Sequence, residues 1–258
     1  MNVLLIGDSC RDEYVYGDCN RLSPEGPITI LDEKSRKIRP GMAANVKSNL
    51  ESFGVGVNLL TQREVITKTR YVDSKSNYQL LRVDTTPDVT PITSAEVKMA
   101  LMSFEYDAVV ISDYDKGYLG DDDLRLLCEA FNRPIFVDTK KRKLFHKDNV
   151  FWKINKKEYD LLDRDHMPNG THLIVTLGSN GVDWNGIRYL PQKVNVFDVC
   201  GAGDTFLSAL VWEFMKHKDM QKSIDIANRA AAISVQHPGT YHLTEKEIES
   251  LWLTDEET

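Results

Sequence analysis

The chain has 258 residues, of which 41 % are hydrophobic and 28 % are charged, an ordinary composition for a soluble globular protein with a sizeable core. Its net charge of -7 argues against a nucleic-acid-binding surface, and no apolar run approaches the length of a membrane span. The four cysteines show no C-x-x-C spacing, so the sequence indicates neither a zinc site nor a disulfide framework. Because a strand-like run follows Met1 in place of a signal peptide, we expect one cytoplasmic α/β domain over residues 1–258 with no nucleic-acid or membrane partner.

Short apolar runs that predict buried strands alternate with patterns that predict helices, which is typical of a sheet covered by helices. The predicted strands are Val3–Gly7, Val57–Thr61, Ala108–Ser112, Pro134–Asp138, Val150–Asn155 and Leu173–Leu177. The predicted helices are one with Ala43, Val46, Leu50 and Phe53 on one face, then Thr93–Phe104, Asp121–Phe131, Ala202–Lys216, Gln221–Gln236 and Thr244–Leu253. Most strands end in a polar residue, and in open α/β sheets this edge forms the ligand crevice.

One segment departs from this alternation. Ile66–Asp73 and Asn77–Asp84 alternate apolar and polar residues around residues 74–76, which predicts a β-hairpin. Ile28–Leu31 has the pattern of a further strand of this kind. Because alternating strands are covered on one face only, we expect these strands to form a small sheet that projects from the main one.

A glycine-rich turn over residues 198–205 leads directly into the predicted helix that begins at Ala202. Glycines let the backbone N–H groups converge on an anion, and the helix N-terminus adds positive charge there. A carboxylate at that place, Asp204, would suit a base that accepts the proton of an attacking alcohol. The turn by itself fits equally well a tight turn in which Asp204 is the helix N-cap.

Two segments about 150 residues apart carry a family resemblance. Asp198–Asp204 matches the pattern Asp-x-x-Gly-Ala-Gly-Asp, and Pro40–Asn45 matches Gly-Gly-x-x-Asn with Met42 in place of the second glycine. With these segments in this order, the chain resembles the ribokinase-like, or PfkB-type, sugar kinases over nearly its full length. The resemblance implies an α/β three-layer sandwich, with a mostly parallel sheet, helices on both faces and a small β lid.

Further segments resemble the kinase domain of the heptose-phosphate kinase/ADP-heptose synthase group. These segments are Gly7–Asp8, Asp12–Tyr14, Arg21–Glu25, Thr67–Arg70, Gln79–Asp84 and Ser112–Gly117. In that group the kinase phosphorylates the anomeric hydroxyl of D-glycero-D-manno-heptose 7-phosphate with ATP and Mg²⁺. The resemblance therefore implies ATP with Mg²⁺ and a small sugar or sugar phosphate as partners. The nucleotidyltransferase domain of many members has no counterpart in these 258 residues.

The resemblance also implies roles on the acceptor side of the site. Asp204 would be the general base, and the backbone of Gly201, Ala202 and Gly203 would form the anion hole. The positions that match sugar-binding positions of the family are Asp8, Asp12, Gly41 and Asn45. A sugar phosphate also needs cations, and we expect Lys116 and Lys140 because each follows a predicted strand end. Asn45 alone would equally suit the first polar turn of a helix.

On the nucleotide side, Asn155 and Glu158 match the family's Asn-x-x-Glu pattern, which helps to organise Mg²⁺ indirectly. Glu158 alone could also be a first-turn acid favoured by the helix dipole. The remaining nucleotide-binding matches are Thr176, Gly178, Gly181 and Asn228. In many members Asp198 and the loop near Gly239 bind a monovalent cation, so a potassium ion is a further expectation.

The expected lid comprises Ile28–Leu31 and Ile66–Asp84, and lids of this fold commonly pair between subunits, which implies a homodimer. The chain is short for the family, because a helix and a strand are missing near residues 63–66 and a helix is missing where Asp163–Gly170 predicts a loop. The leading hypothesis is a kinase for a heptose 7-phosphate. The alternatives are a kinase for another sugar, such as fructose, ribose or a related phosphate, and an inactive sugar- or nucleotide-binding protein.

Overall fold

Two β-sheets and the helices around them make up the described structure. The computed structural model describes residues 1–252, apart from the side chain of Ser103. Its strands are β1 (Asn2–Gly7), β2 (Ser9–Leu22), β3 (Thr29–Met42), β4 (Gly56–Leu60), β5 (Ile66–Asp73), β6 (Gln79–Thr85), β7 (Ala108–Asp113), β8 (Ile135–Thr139), β9 (Val150–Asn155), β10 (Leu173–Thr176), β11 (Val182–Trp184) and β12 (Ile187–Tyr189). Its helices are α1 (Ala43–Ser52), α2 (Ser94–Ser103), α3 (Asp121–Ala130), α4 (Lys156–Asp160), α5 (Ala202–His217), α6 (Met220–Ser234) and α7 (Glu245–Ser250).

The main sheet contains the six strands predicted from apolar runs, each within a residue or two of its predicted bounds. Its strand order is β12-β11-β10-β9-β8-β7-β1-β4, and the strands from β10 to β4 are parallel. The pairs β10–β11 and β11–β12 are antiparallel. The predicted helices are also present, although Leu253, the predicted end of the last one, lies outside the described residues.

Both faces of the main sheet are buried, because successive side chains of a strand point to opposite faces. On β1, Val3 and Leu5 belong to a core shared with α1, α5, α6 and α7, whereas Leu4 and Ile6 belong to a second core on the side of α2 and α3. All four side chains are fully buried. The result is the expected three-layer arrangement of helices, sheet and helices.

The small sheet has the strand order β3-β2-β5-β6. The predicted hairpin is confirmed as the antiparallel pair β5–β6. The predicted strand Ile28–Leu31 is only the beginning of the 14-residue β3, and the 14-residue β2 was not predicted. Most of β3 is exposed and six of its 14 residues are charged, so it lacks the clean alternation of apolar and polar residues by which a half-buried strand is recognised.

The two sheets meet at the carboxyl end of β1. Asp8 is the single residue between β1 and β2, and its carbonyl oxygen accepts a hydrogen bond from the N–H of Ala43 at the start of α1. Met42, the last residue of β3 and the N-cap of α1, has a φ of 59°, in the region that favours glycine. Nearly all of its side chain is buried, in a cluster with Cys10 and Ile66. Within residues 1–252, helices that could span a membrane were not found.

Candidate functional site

A cleft of about 930 Å³ lies at the carboxyl ends of β8, β9 and β10 and at the N-terminus of α5. Its volume is in the range of small-molecule sites. Ten of the residues singled out from the sequence line it: Lys140, Asn155, Thr176, Gly178, Gly181, Gly201, Ala202, Gly203, Asp204 and Asn228. The expected catalytic turn and most of the expected nucleotide-binding residues therefore share one cavity.

The glycine-rich turn is closely packed. Gly201 is the N-cap of α5 with a φ of 79°, and a Cβ there would lie 3.0 Å from Asn45 Nδ2 and 3.2 Å from Thr240 Cγ2. A Cβ on Gly203 would lie 3.1 Å from Lys153 Nζ. The 16-residue α5 directs its N-terminus at this turn, and a helix N-terminus favours bound anions. The anion hole expected at this turn stays a prediction.

Asp204 is not a helix cap, which answers the alternative left open by the sequence. The N-cap of α5 is Gly201, and the carboxylate of Asp204 accepts hydrogen bonds from Asn45 Nδ2 at 2.7 Å and from the Tyr114 hydroxyl at 3.1 Å. Only 5 % of the residue is exposed. Burial raises the pKa of Asp204 to about 6, against the hydrogen bond from Asn45, which lowers it. A carboxylate with a pKa near neutrality suits proton transfer at physiological pH.

Tyr114 is a contact of Asp204 to which sequence reasoning assigned no role. It follows β7 directly, and two ammonium groups lie near its ring, with Lys68 Nζ 5.3 Å and Lys140 Nζ 5.1 Å from the ring centroid. Burial, together with the negative charge of Asp204, raises the pKa of Tyr114 well above its ordinary value. The hydroxyl therefore stays protonated and donates a hydrogen bond to Asp204. Its position just after a buried strand was the available indication.

Lys153 and Asp138 form a buried ion pair beneath the turn, at 2.6 Å. Lys153 is 4 % exposed and interrupts the apolar run of β9, and Asp138 is 6 % exposed. A lysine in a buried strand is rare unless it is paired, so its place in the sequence could have indicated a partner. Both residues line the cleft, which adds a fixed cation beside Gly203.

Asn45 is fully buried and connects three segments of the chain. It donates to Asp204, and its Oδ1 lies 3.0 Å from Nε2 of His242, a residue whose pKa is lowered by burial and by Arg39. A neutral imidazole can hold a proton on Nε2 and donate it to Asn45. Asn45 was expected to bind the sugar. In the structure its amide donates a hydrogen bond to the carboxylate of Asp204.

Asp8 lies directly after β1 and Lys116 lies in the loop after β7, and neither residue lines the cleft. The Asp8 carboxylate accepts hydrogen bonds from the backbone N–H groups of Tyr114, Lys116 and Tyr118, at 2.8, 3.3 and 3.4 Å. Asp8 was expected to accept sugar hydroxyls, but in this structure both of its oxygens bind the backbone of the loop that carries Tyr114. The carboxylate thereby fixes the position of Tyr114.

The carboxylate of Asp12 lies close to Gly41 on the neighbouring strand of the small sheet. Asp12 forms an ion pair with Arg70, and a Cβ on Gly41 would lie 2.2 Å from the Asp12 carboxylate and 2.6 Å from Cys10 Sγ. Only glycine fits at position 41 without a shift of these groups. This arrangement brings a carboxylate and a guanidinium to the base of the small sheet.

Asn155 and Glu158 form a reciprocal cap at the start of α4. Asn155 Oδ1 accepts from the N–H of Glu158 at 3.0 Å, and Glu158 accepts from the N–H of Asn155 at 2.8 Å. Lys140 also forms an ion pair with Glu158 and lines the cleft, so its expected role at a sugar phosphate stays a prediction. Burial lowers the pKa of Lys140, but Asp138 and Glu158 outweigh it and raise the pKa above its ordinary value.

The donor set at this edge fits a magnesium ion held mainly by phosphates and water. Among residues 1–252, no group of three or more His, Cys, Asp or Glu side chains is arranged to hold a metal. Mg²⁺ keeps several waters and takes one or two carboxylates together with substrate phosphates. Glu158, with Asn155 beside it, is the carboxylate that could orient such waters.

The remaining expected nucleotide residues form one wall of the cleft. Gly178 begins a short 3₁₀ turn between β10 and β11 and Gly181 follows it, with φ values of 59° and 83°. A Cβ on Gly181 would lie 2.0 Å from the carbonyl oxygen of Tyr189. Asn228 donates to that same carbonyl at 3.5 Å.

Asp198 lies behind the turn, where a monovalent cation was expected. Its carboxylate accepts from the N–H of Cys200 at 2.9 Å and from the N–H of Gly239 at 2.8 Å. The carbonyl oxygens of the residues on either side of Gly239 accept hydrogen bonds from Arg39. As arranged here, these groups do not fit a potassium ion, because a guanidinium already occupies the space against the carbonyls.

The sequence is similar to those of known carbohydrate kinases. Residues 146–247 match the family described as pfkB family carbohydrate kinase. The bifunctional protein HldE of a Nitratiruptor species is 29 % identical, with 96 % of this chain and 64 % of the relative covered. HldE of Campylobacter jejuni is 30 % identical, with 98 % and 65 % covered. The chain thus spans less than two thirds of the length of these relatives.

Solved structures share the fold. Ribokinase of Thermotoga maritima matches with a TM-score of 0.68 at 17 % identity, covering 96 % of this chain and 98 % of that one. Phosphofructokinase-2 of Escherichia coli, in complex with potassium, matches with a TM-score of 0.72 at 14 % identity, covering 96 % and 97 %. The fold is therefore ribokinase-like. Residues 146–247 are thus similar to the PfkB family of carbohydrate kinases, and nearly the whole chain is similar to the HldE proteins.

Proposed function

We propose that the chain is an ATP-dependent sugar kinase in which Asp204 is the general base. The observation that carries this proposal is the buried Asp204 carboxylate, held between Asn45 and Tyr114 at the edge of the cleft and at the N-terminus of α5. Its pKa of about 6 leaves it ionised at neutral pH and able to accept a proton.

In the proposed reaction the acceptor hydroxyl gives its proton to Asp204 as its oxygen bonds to the γ-phosphorus of ATP. The bond to the β–γ bridging oxygen breaks, and ADP leaves with that electron pair. The backbone of Gly201, Ala202 and Gly203, together with the nearby Lys153, stabilises the charge on the transferring group. Bound Mg²⁺ would neutralise phosphate charge, with Asn155 and Glu158 orienting its waters.

The acceptor that we propose is a heptose 7-phosphate, phosphorylated at the anomeric hydroxyl in the cytoplasm. Support comes from the resemblance to heptose-phosphate kinases and from the charge of the small sheet. The strand register places Asp12, Tyr14, Lys68 and Arg70 on one face, because Asp12 pairs with Lys68 and Tyr14 with Arg70. Arginine and lysine are the side chains that bind a phosphate group.

A panel assay tests both levels of this proposal. ADP release is measured with ATP, Mg²⁺ and a series of sugars and sugar phosphates, for the wild type, Asp204→Asn and the exposed control Asp148→Asn. We expect turnover with a heptose 7-phosphate, its loss by about 10²–10⁴-fold in Asp204→Asn, and no change in the control.

The outcomes separate the alternatives. Absence of turnover with every acceptor, or equal turnover by Asp204→Asn, would refute the kinase mechanism and favour a binding protein. Turnover confined to an unphosphorylated sugar, or to fructose or ribose phosphates, would retain the kinase and remove the heptose phosphate as its substrate.

We also propose that the small sheet forms a homodimer. The face opposite Asp12 and Tyr14 carries exposed apolar side chains, with Ile38 58 %, Leu81 56 % and Val83 42 % exposed. Ile38 and Val83 lie in one cross-strand row through Glu13 and Thr69. Sedimentation velocity should show a dimer for the wild type and a monomer for Leu81→Lys/Val83→Lys. A wild-type monomer at high concentration would contradict the dimer.

A further inference from the structure

Arg39 connects the small sheet to a loop behind the catalytic turn. It lies near the end of β3, and its Nη1 donates hydrogen bonds to the carbonyl oxygens of Pro238 at 3.0 Å and Thr240 at 2.8 Å. The guanidinium carbon also lies 5.9 Å from the ring centroid of Tyr14. One guanidinium thus binds both carbonyls that flank Gly239.

The loop that Arg39 binds supports the proposed catalytic groups from behind. The N–H of Gly239 donates to Asp198, whose other oxygen accepts from Cys200 at the start of the turn. Thr240 lies against Gly201, with its Cγ2 3.2 Å and its Cα 3.5 Å from the position of a Cβ on that glycine. Two residues further on, His242 contacts Asn45, which donates to Asp204.

The oxygen atoms around Gly239 favour a cation. Two carbonyl oxygens converge on one point, and the Asp198 carboxylate lies on the opposite side of the Gly239 peptide. Hydrogen bonds from a charged donor are stronger than those from a neutral one, so a guanidinium stabilises the loop more than a neutral side chain would. Gly239 leaves the room for it: its φ is 69°, and a Cβ there would lie 2.8 Å from Arg39 Nη1.

We propose that Arg39 is a built-in cation that holds the loop at residues 238–240 and thereby positions the anion-hole turn, so that this kinase works without a bound monovalent ion. Arg39 is a positioning residue: it acts through Thr240 on Gly201 and through Gly239 on Asp198. The inference rests on the proposed function for its catalytic consequence, whereas its effect on nucleotide binding and on folding stability does not depend on which sugar is used.

The test compares potassium chloride with tetramethylammonium chloride at equal ionic strength. ADP affinity by calorimetry, the thermal midpoint and, where turnover is found, kcat are measured for the wild type, Arg39→Met, Arg39→Lys and Arg36→Met. The last variant is the matched control, since Arg36 lies on the same strand but pairs with Glu13 and Glu33 on the surface.

We expect the wild type and Arg36→Met to differ by less than about twofold between the two salts, because the guanidinium already fills the place of the ion. Arg39→Met should bind ADP about tenfold more weakly in tetramethylammonium, from the loss of two charge-assisted hydrogen bonds, and potassium should recover part of this loss and raise its thermal midpoint. Arg39→Lys, which keeps the charge, should lie between the two.

Three results would overturn the proposal: a strong potassium requirement of the wild type, wild-type behaviour of Arg39→Met in both salts, and equal loss in Arg39→Met and Arg39→Lys without any response to potassium. If Arg39→Met does not fold, Arg39→Lys and the comparison of the two salts in the wild type still test the proposed role of Arg39. Salt-independent binding and stability in a wild type that phosphorylates no sugar would refute the proposed kinase activity and leave the role of Arg39 supported.

Discussion

The side-chain amide of Asn45 donates a 2.7 Å hydrogen bond to the carboxylate of Asp204, although the two residues are 159 positions apart in the chain. The bond joins the start of α1 to the start of α5, and both residues are almost completely buried. The two glycine-containing segments that carry the family resemblance therefore meet at one proton-accepting group. The hydrogen bond from Asn45 lowers the pKa of Asp204.

Asn45→Ala is expected to shift the acid limb of the activity profile to higher pH. The hydrogen bond from Asn45 favours the ionised form of Asp204, so its loss should raise the pKa of Asp204 above its present value of about 6. Activity needs the ionised form and should therefore require a higher pH than in the wild type. The measurement is kcat/KM from pH 5 to pH 9.

Ser48→Ala is the control for this variant, because Ser48 lies on the same helix and bonds only to the carbonyl oxygen of Ala44 in its own helix. Its profile should coincide with that of the wild type. An unchanged or lowered acid limb in Asn45→Ala would show that the amide does not set the ionisation of Asp204.

Asp204→Asn is expected to make the protein more stable at pH 8 while it removes activity. The folded-state pKa of Asp204 is raised, so the native state binds a proton more tightly than the unfolded state, and the free energy of unfolding falls as pH rises from about 4 to about 6. At pH 8 the wild type bears the full cost of a buried, ionised carboxylate. We expect the free energy of unfolding of the variant to be higher by about 1–3 kcal/mol, net of one lost hydrogen bond.

Urea unfolding of both proteins at pH 8 and pH 4 measures this difference. The stability gain should be present at pH 8 and largely absent at pH 4, where the folded-state carboxyl is protonated and the unfolded-state carboxyl is only about half ionised. A variant that is less stable than the wild type at pH 8 would contradict the assigned burial cost.

The main sheet could be predicted from the sequence because its strands are short apolar runs, buried on both faces. The partners of Asp204 could not all be predicted in the same way. Tyr114 and Lys153 are brought to the turn by strand order in the sheet, which local patterns do not encode. Arg39 was missed for the same reason: its two carbonyl partners lie about 200 residues further along the chain.

The small sheet shows a second limit. Its hairpin has a regular alternation and was predicted, whereas β2 and most of β3 were not. In β2 the inward positions include charged groups such as Asp12, whose burial is made acceptable by Arg70 on the neighbouring strand. The sequence alone does not distinguish a buried carboxylate that pairs with a neighbouring strand from an exposed carboxylate.

Gly201→Ala is expected to cost both stability and activity. The residue has a φ of 79°, where an alanine is strained by about 1–2 kcal/mol. The new methyl group would also press on Asn45 Nδ2 at 3.0 Å and on Thr240, so it should displace the donor of Asp204. Thermal unfolding and kcat measure the two effects, and kcat should fall by at least about tenfold, the size of one lost oriented contact.

Gly54→Ala is the matched control for the backbone strain. Gly54 has a φ of 74° at the end of α1, and nothing lies within 4 Å of the position of its Cβ. It should lose a similar stability to strain with kcat unchanged. Equal kcat values for the two variants would show that the space beside Gly201 does not matter for turnover.

Met42 combines a strained backbone with a buried side chain, and paired substitutions can separate the two. Its φ of 59° and ψ of -132° favour glycine, a conformation that costs a larger residue about 1–3 kcal/mol. Its side chain belongs to a buried cluster with Cys10 and Ile66, against which Tyr114 packs, so removing it should cost about 2–5 kcal/mol. Met42→Ala loses the packing and keeps the strain, whereas Met42→Gly loses both.

We therefore expect both variants to be less stable than the wild type, with Met42→Gly more stable than Met42→Ala by about 1 kcal/mol, the strain less the extra entropy of glycine. Urea unfolding of the three proteins gives the differences directly. Because Tyr114, a donor to Asp204, packs against the cluster that contains Met42, kcat should fall to a similar extent in both variants. An alanine variant at least as stable as the glycine variant would show that the backbone at Met42 carries no strain, and full activity in either would show that packing against Tyr114 is not needed to position it.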